Sequence, residues 1–347
     1  MKAEKRTRIR TRIVALLLMA LIVAAAASCA GNSSPGASTD AQTSATENTD
    51  NTTDQPGQEG GSDVIVPAPV IDRDREGNLI TLPDKIETII SMGPSNTEVL
   101  VELGFGDTII ATDEYSGNIA GLTPGIPKFS MMAPDGEQII NLLPDVIFVT
   151  GMSRVAADDP YKLVSDAGIC VIYMPSSTSL EAIKEDIRYM GAVLGAQDRG
   201  EEIVAGMERE IDTIRAISET ISETITDKRT VYFEVAAAPH MVSFGVDTFL
   251  HEMIELVGAV NAFENHVTWI SVADEVILAT DPDVILTSVN YIDDPIGEIK
   301  SRPGWSGMTA VRNDAIYYIS TDASNRPSHN VVKALWEIAR AVYPEFY

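Results

Sequence analysis

Short apolar runs alternate with amphipathic segments from about Val64 to the end of the chain. The runs are four or five residues long and are bounded by Gly, Pro or Asp, which is typical of buried strands. Helical patterns lie between them, and this alternation predicts parallel α/β topology. The predicted strands are Thr88–Met92, Ile109–Thr112, Val146–Thr150, Ile169–Tyr173, Val231–Val235, Val284–Thr287 and Ile316–Ile319.

One amphipathic stretch is much longer than the others. Its apolar residues recur at steps of three and four, and they are Ile203, Met207, Ile211, Ile214, Ile217, Ile221 and Ile225. From Arg199 to Ile225, a helix would run about 40 Å at 1.5 Å per residue, which is long enough to join two lobes. We therefore predict an N-terminal lobe over residues 64–195, an interlobe helix over 196–228 and a C-terminal lobe over 229–347.

Two segments on either side of this helix align without gaps. Residues 137–147 (EQIINLLPDVI) match residues 275–285 (EVILATDPDVI). In each segment a helix begins at or just before Glu, a Pro-Asp turn ends it, and a buried strand follows. The identical spacing favours two related lobes, although Pro-Asp turns are common in any αβ unit.

Several helix starts are predicted from capping spacings. A Ser or Thr followed three residues later by Glu is typical of a capping box, and it occurs at Ser95–Glu98 and Thr178–Glu181. Similar caps are expected before the two repeated helices, at Asp135–Gln138 and Ser271–Asp274.

The N-terminus has the pattern of a secretory signal. Six basic residues precede the apolar run Ile13–Ala27, and Ser28 and Cys29 follow it. This edge resembles the lipobox of bacterial lipoproteins, which implies cleavage after residue 28, acylation of Cys29 and an extracytoplasmic, membrane-anchored protein. The alternative is an ordinary signal peptide with an incidental cysteine. Residues 30–63 contain no aromatic, Lys or Arg residue, and we predict that they form a flexible tether.

The chain is strongly acidic, with 25 Lys and Arg against 51 Asp and Glu and a formal net charge of −26. Removing residues 1–28 takes away six basic residues and one acid, so the mature charge is −31. Nucleic acid and anionic lipid are poor partners for such a surface, because binding them requires Lys and Arg. Cys170 is the one cysteine besides Cys29, so an intramolecular disulfide is excluded in the mature domain.

Several motifs, in this order, resemble the ferric-siderophore and cobalamin family of substrate-binding proteins, which serve ABC importers. They are SMGPSNTEV at 91–99, residues 137–149, TFLHEMIELVGAVN at 248–261, residues 269–285 and RPGW at 302–305. The resemblance implies two Rossmann-like α/β lobes with mostly parallel sheets, joined by one rigid helix and holding a ligand in the cleft between them. It further implies a monomer that partners a permease and its ATPase, has no cofactor of its own and is not an enzyme.

The resemblance also implies roles for individual residues. Glu137 and Glu275 match the acidic positions at the two lobe tips that meet arginines of the permease. Tyr115 and Trp269 match cleft aromatic residues of the cobalamin branch. Thr150 stands where that branch has another tryptophan, and this departure weakens the case for cobalamin.

Further ligand-binding candidates lie at predicted strand ends and in loops: Met131, Met132, Met152, Arg154, His240, Phe244 and Arg326. Arg154 or Arg326 could neutralise an anionic ligand, and His240 or a methionine could be an axial haem ligand. The four histidines lack i, i+4 pairing, so direct metal binding is not expected. The ligand stays open between ferric siderophore, corrinoid and haem, and the rival classes are a surface-tethered hydrolase and a sensor module.

Overall fold

A computed structural model describes residues 71–154 and 159–347. The predicted signal peptide, the lipidation site Cys29 and the tether lie outside the described residues. The described part opens with a turn in which Arg73 and Leu79 form an antiparallel bridge. None of the described helices is both long and apolar enough to cross a bilayer.

The N-terminal lobe is built on a parallel sheet of five strands in the order β3-β2-β1-β4-β5. The strands are β1 Ile89–Met92, β2 Ile109–Asp113, β3 Lys128–Phe129, β4 Val146–Thr150 and β5 Cys170–Met174. The helices are α1 Pro94–Glu102, α2 Gly136–Asn141, α3 Lys162–Asp166 and α4 Leu180–Val193, with 3-10 turns at Gly106–Thr108 and Gly151–Arg154. The central strands are buried on both faces, because helices cover each side of the sheet.

A single helix of 28 residues, α5 Gln197–Thr224, connects the lobes, as the periodicity predicts. At 1.5 Å per residue it is about 42 Å long. One face is buried along most of its length, from Ile203 to Ile221. The helix crosses close to α4 at two glycines, since a Cβ on Gly191 would lie 3.4 Å from the Cα of Gly200. This packing ties the helix to the N-terminal lobe.

The C-terminal lobe contains a parallel four-stranded sheet in the order β11-β10-β6-β8 and an antiparallel pair, β7-β9. Its strands are β6 Thr230–Glu234, β7 Val242–Phe244, β8 Val260–Asn261, β9 Trp269–Ser271, β10 Val284–Thr287 and β11 Ile316–Tyr318. Its helices are α6 Phe249–Leu256, α7 Asp274–Thr280, α8 Pro295–Ser301, α9 Thr309–Arg312, α10 Thr321–Asn325 and α11 Val331–Val342, with a 3-10 turn at Trp305–Gly307. The periodicity of the sequence does not predict the β7-β9 pair, because both strands are only three residues long.

The repeat noted in the sequence has the same hydrogen bonds in both lobes. The Asp145 carboxylate accepts bonds from the backbone N–H and hydroxyl of Thr88, at 2.8 and 2.9 Å. Asp283 accepts the same two bonds from Thr230, at 2.8 and 2.9 Å. Each aspartate therefore joins the start of one strand to the start of its neighbour, and the two Pro-Asp turns make equivalent contacts in the two lobes.

The predicted helix caps are only partly correct. The cap at Asp135 is confirmed, because its carboxylate accepts a bond from the Gln138 N–H. The other three are wrong: α1 begins after Gly93, α4 is capped by Ser179 one residue after Thr178, and α7 begins after Ala273. Pro94 favours the first helical position and starts α1 early, and Ser271 is held in β9.

Candidate ligand-binding cleft

The carboxyl ends of the two main sheets face each other. Helix α1 follows β1 at the carboxyl end of the first sheet, and Arg326 lies just after α10, which follows β11 in the second. The Glu98 carboxylate on α1 accepts bonds from Arg326 at 2.7 Å, Ser328 at 2.5 Å and Asn330 at 3.0 Å. Open α/β sheets bind ligands at this end, so the segments after the strands are the candidate site.

The strand order of the first sheet places its topological switch point between β1 and β4, where such folds bind ligands. Gly93 follows β1 and Thr150 ends β4. Asn96, in the first turn of α1, is buried, with 5% of its surface exposed. Its side-chain amide nitrogen has no hydrogen-bond partner among the described residues.

The segment after β2 holds Tyr115. The Asp113 carboxylate is fully buried and accepts bonds from the Tyr115 N–H and the Ser116 hydroxyl, which fix the turn. Burial raises the pKa of Asp113, and these bonds oppose the rise. Tyr115 itself is half-buried, and burial with the nearby Glu114 and Asp113 raises its pKa to about 12. Tyr115 is therefore a neutral phenol at physiological pH, able to donate a hydrogen bond.

The methionines near the ends of β3 and β4 differ in exposure. Met131 is 5% exposed and belongs to the hydrophobic core. Met132 and Met152 are half-buried. Arg154 ends the 3-10 turn that follows β4. Met132 and Met152 therefore retain more accessible surface than Met131.

A buried ion-pair network lies at the carboxyl end of the main sheet in the C-terminal lobe. Glu234, at the end of β6, is fully buried and accepts bonds from Arg302 at 2.6 and 3.0 Å. Arg302 also pairs with Glu298 at 2.6 Å and lies over the Trp305 ring at 4.5 Å. Burial raises the pKa of Glu234, whereas the Arg302 guanidinium opposes that rise. The network fixes α8 and the RPGW segment against the sheet.

Trp269 and Phe244 are paired residues of β9 and β7, with ring centroids 6.0 Å apart in an edge-on arrangement. Trp269 is half-buried, whereas Phe244 is fully buried and also packs against Phe233. Phe244 thus supports Trp269 from behind, and in this conformation a ligand cannot touch it. His240 is exposed in the loop between β6 and β7.

Arg326 is already paired with acidic residues. Its guanidinium contacts Glu98 at 2.7 Å and Asp322 at 2.9 Å. Two carboxylates compensate its charge, so it is poorly suited to neutralise a ligand anion. The observed contacts assign it to the junction between the lobes.

Glu137 and Glu275 are exposed and lie in the first turns of α2 and α7. A carboxylate at a helix N-terminus is stabilised by the helix dipole. The two helices occupy equivalent positions in the two lobes, as the repeat predicts. Each lobe therefore presents one solvent-exposed acid at a corresponding helix start.

The sequence pattern predicts no site or junction role for Asn96 or Glu98. Both lie within the capping box predicted at Ser95–Glu98, which assigns their side chains a local role. The available signal was position, because residues immediately after a buried strand reach the carboxyl end of a parallel sheet.

Two α/β lobes joined by one long helix, with facing carboxyl ends, define a solute-binding class of fold. Residues 89–323 match the periplasmic binding protein family, and the chain belongs to that family. No group of three or more His, Cys, Asp or Glu able to hold a metal ion occurs within residues 71–154 and 159–347.

Three similar proteins illustrate the relationship. An uncharacterised ABC transporter substrate-binding lipoprotein, YvrC of Bacillus subtilis, is 28% identical over 282 residues, covering 80% of this chain and 87% of the relative. A cobalamin-binding protein of Halobacterium salinarum is 23% identical over 296 residues, covering 83% and 78%. A solved structure from Staphylococcus epidermidis, described as a possible iron-binding (periplasmic solute-binding) protein, is 27% identical with a TM-score of 0.65, covering 75% and 100%.

Proposed function

We propose that this protein captures a ferric siderophore or a corrinoid in the cleft between its lobes and delivers it to the permease and ATPase of an ABC importer. The observation that carries the proposal is the pair of parallel sheets with facing carboxyl ends, held by one 28-residue helix. Membership of the periplasmic binding protein family supports it, as do relatives described as an importer lipoprotein and a cobalamin-binding protein.

Binding is an equilibrium process without chemical conversion. Tyr115 and Trp269 offer flat, half-buried rings, which suit a corrin, a porphyrin or a catecholate because they bury large areas with little loss of conformational entropy. Met132, Met152 and Arg154 follow strands of the first lobe, and His240 precedes β7 in the second. Haem is the alternative ligand, with His240 or one of these methionines as its axial ligand.

The remaining roles concern delivery. Glu137 and Glu275, one on each lobe, provide two exposed negative charges that orient the protein against basic residues of the permease. Lipidation at Cys29 anchors the monomer outside the cytoplasmic membrane.

The direct test is a visible absorption titration of the full chain, purified in detergent, with aquocobalamin, a ferric catecholate siderophore and haemin in turn. We expect a saturable spectral change with one of them, at a Kd of about nanomolar to micromolar. Tryptophan fluorescence should be quenched in the same titration, and Trp269→Phe should remove most of the quenching. Trp336→Phe is the matched control, because the Trp336 indole bonds to Glu210 on the linker helix.

Absence of binding to all three probes would contradict the proposed ligand class. Turnover of a chelate or an ester by the purified protein would instead support the rival hypothesis of a tethered enzyme.

A further inference from the structure

Asn96 has an unusual environment for a buried amide. The residue is 5% exposed, yet its Nδ2 atom has no acceptor among the described residues. Buried side-chain amides are nearly always hydrogen-bonded, because an unpaired donor removed from water is costly. Asn261 shows the ordinary case: its Nδ2 donates to the Phe244 carbonyl at 3.0 Å and its Oδ1 accepts from the Phe263 N–H at 3.1 Å.

The Asn96 amide lies at the switch point of the first sheet. A Cβ added to Gly93 would lie 3.4 Å from the Asn96 Nδ2 and 3.4 Å from the Thr150 Cβ. Gly93 has an extended backbone with φ 170°, so other residues could adopt its conformation. Gly93 leaves room for one small group between the ends of β1 and β4, beside the Asn96 Nδ2, which has no partner among the described residues.

The first turn of α1 contributes further donors at the same place. Gly93 makes no side-chain cap, and Pro94 has no N–H. The N–H of Thr97 bonds to the Gly93 carbonyl, which leaves the N–H groups of Ser95 and Asn96 without an intrahelical acceptor. The positive end of the helix dipole favours an oxygen acceptor at this position.

The segment that holds Tyr115 is bonded to this turn. The Thr97 hydroxyl donates to the Ser116 hydroxyl at 3.0 Å, which joins the first turn of α1 to the segment after β2. Asn96 precedes Thr97 in the chain, and Tyr115 precedes Ser116. The Tyr115 hydroxyl is likewise buried and unpartnered among the described residues.

We propose that the Asn96 side-chain amide and the first turn of α1 donate hydrogen bonds to a carbonyl or carboxylate group on a side arm of the transported ligand. This inference rests on the proposed function and adds a specificity-determining residue to it. The chemistry recognised is a carbonyl or carboxylate oxygen, as on the amide arms of a corrinoid or the propionates of haem. A bound oxygen would accept from buried donors that have no partner in the described part of the chain.

The test compares Asn96→Ala with the wild-type full chain in titrations with aquocobalamin, haemin and a ferric catecholate siderophore, alongside thermal unfolding. We expect the Kd for the bound probe to rise about five- to tenfold, as for loss of one hydrogen bond, with no loss in Tm. Asn261→Ala is the matched control, and it should lower Tm because its amide bonds hold the fold together. An unchanged Kd for Asn96→Ala would overturn the inference, and a lowered Tm with an unchanged Kd would assign Asn96 to structure.

Two further variants sharpen the result. Gly93→Ala places a methyl group in the space beside Asn96 and should weaken ligand binding. An unchanged Kd would argue that the ligand does not occupy that space. Asn96→Asp keeps the shape but replaces the donor with a carboxylate. A ligand with a carboxylate arm should then bind Asn96→Asp more weakly than it binds Asn96→Ala. A ligand with a carbonyl arm should bind the two variants with about the same affinity.

The outcomes separate this inference from the proposed function. Failure of the wild-type protein to bind either probe or a ferric catecholate overturns both. Binding by the wild type with no change in the Asn96 and Gly93 variants overturns this inference alone.

Discussion

The contact between Glu98 and the C-terminal lobe makes a quantitative prediction for Glu98→Ala. The Glu98 side chain is 7% exposed and accepts three hydrogen bonds from residues 228 to 232 positions away in the chain. Removing one partner of a buried ion pair typically costs about 3–5 kcal/mol. Arg326 is 20% exposed and keeps its contact with Asp322 at 2.9 Å, so its charge is not left unpaired. We therefore expect the free energy of unfolding to fall by about 2–3 kcal/mol.

Thermal unfolding followed by circular dichroism provides the assay. For a protein of this size, about 2 °C of Tm is lost per kcal/mol, so Glu98→Ala should lower Tm by about 4–6 °C. Glu223→Ala is the matched control, because Glu223 is an exposed glutamate near the end of α5, and its Tm should stay within about 1 °C of the wild type.

A double-mutant cycle with Arg326→Ala then isolates the pair. We expect a coupling free energy of about 1–2 kcal/mol between Glu98 and Arg326. A Tm for Glu98→Ala equal to that of Glu223→Ala, or a coupling energy near zero, would refute the conclusion that this contact holds the lobes together.

Three other predictions follow from the described contacts. Glu137→Lys combined with Glu275→Lys should abolish ligand uptake by cells while leaving the Kd of the purified protein unchanged, and persistent uptake would contradict the docking role. Burial lowers the pKa of His329, with Glu102 and Glu98 opposing the shift, so folding stability is lost as pH falls below the unfolded pKa of about 6.5. His329→Gln should reduce the loss of unfolding free energy between pH 7 and pH 5 by up to about 1 kcal/mol, and an equal loss in both proteins would refute this reasoning. Asp145→Ala and Asp283→Ala should each cost about 1.5–3 kcal/mol by denaturant unfolding, since each removes equivalent bonds to a strand start, and strongly unequal costs would contradict their equivalence.

Local patterns predicted most of the secondary structure. The buried strands were found because four or five apolar residues between turn signals form a strand that is covered on both faces. The linker helix was predicted over residues 196–228 and is observed over Gln197–Thr224, because its isoleucines follow the helical period. The two-lobe repeat was visible because the Pro-Asp turns recur with one spacing, and each aspartate makes the same bonds.

The cleft was harder to predict. Phe244 was expected to contact ligand but is fully buried, because the short β7-β9 pair folds it against Phe233. Arg326 was expected to bind an anion but is engaged by Glu98 and Asp322. Each outcome depends on which distant segment packs against the residue, and hydrophobic periodicity carries no information about that.

The sequence by itself determined most of the elements, their order and the long linker helix, since these follow from periodicity among near neighbours in the chain, and its repeated segment indicated two related lobes. Only the tertiary structure decided that Glu98 joins the lobes and that the Asn96 Nδ2, at the switch point, has no partner within residues 71–154 and 159–347. The physical reason is that a buried polar group takes its role from the partners it meets on folding, and here those partners either come from the opposite lobe or are missing from the described protein.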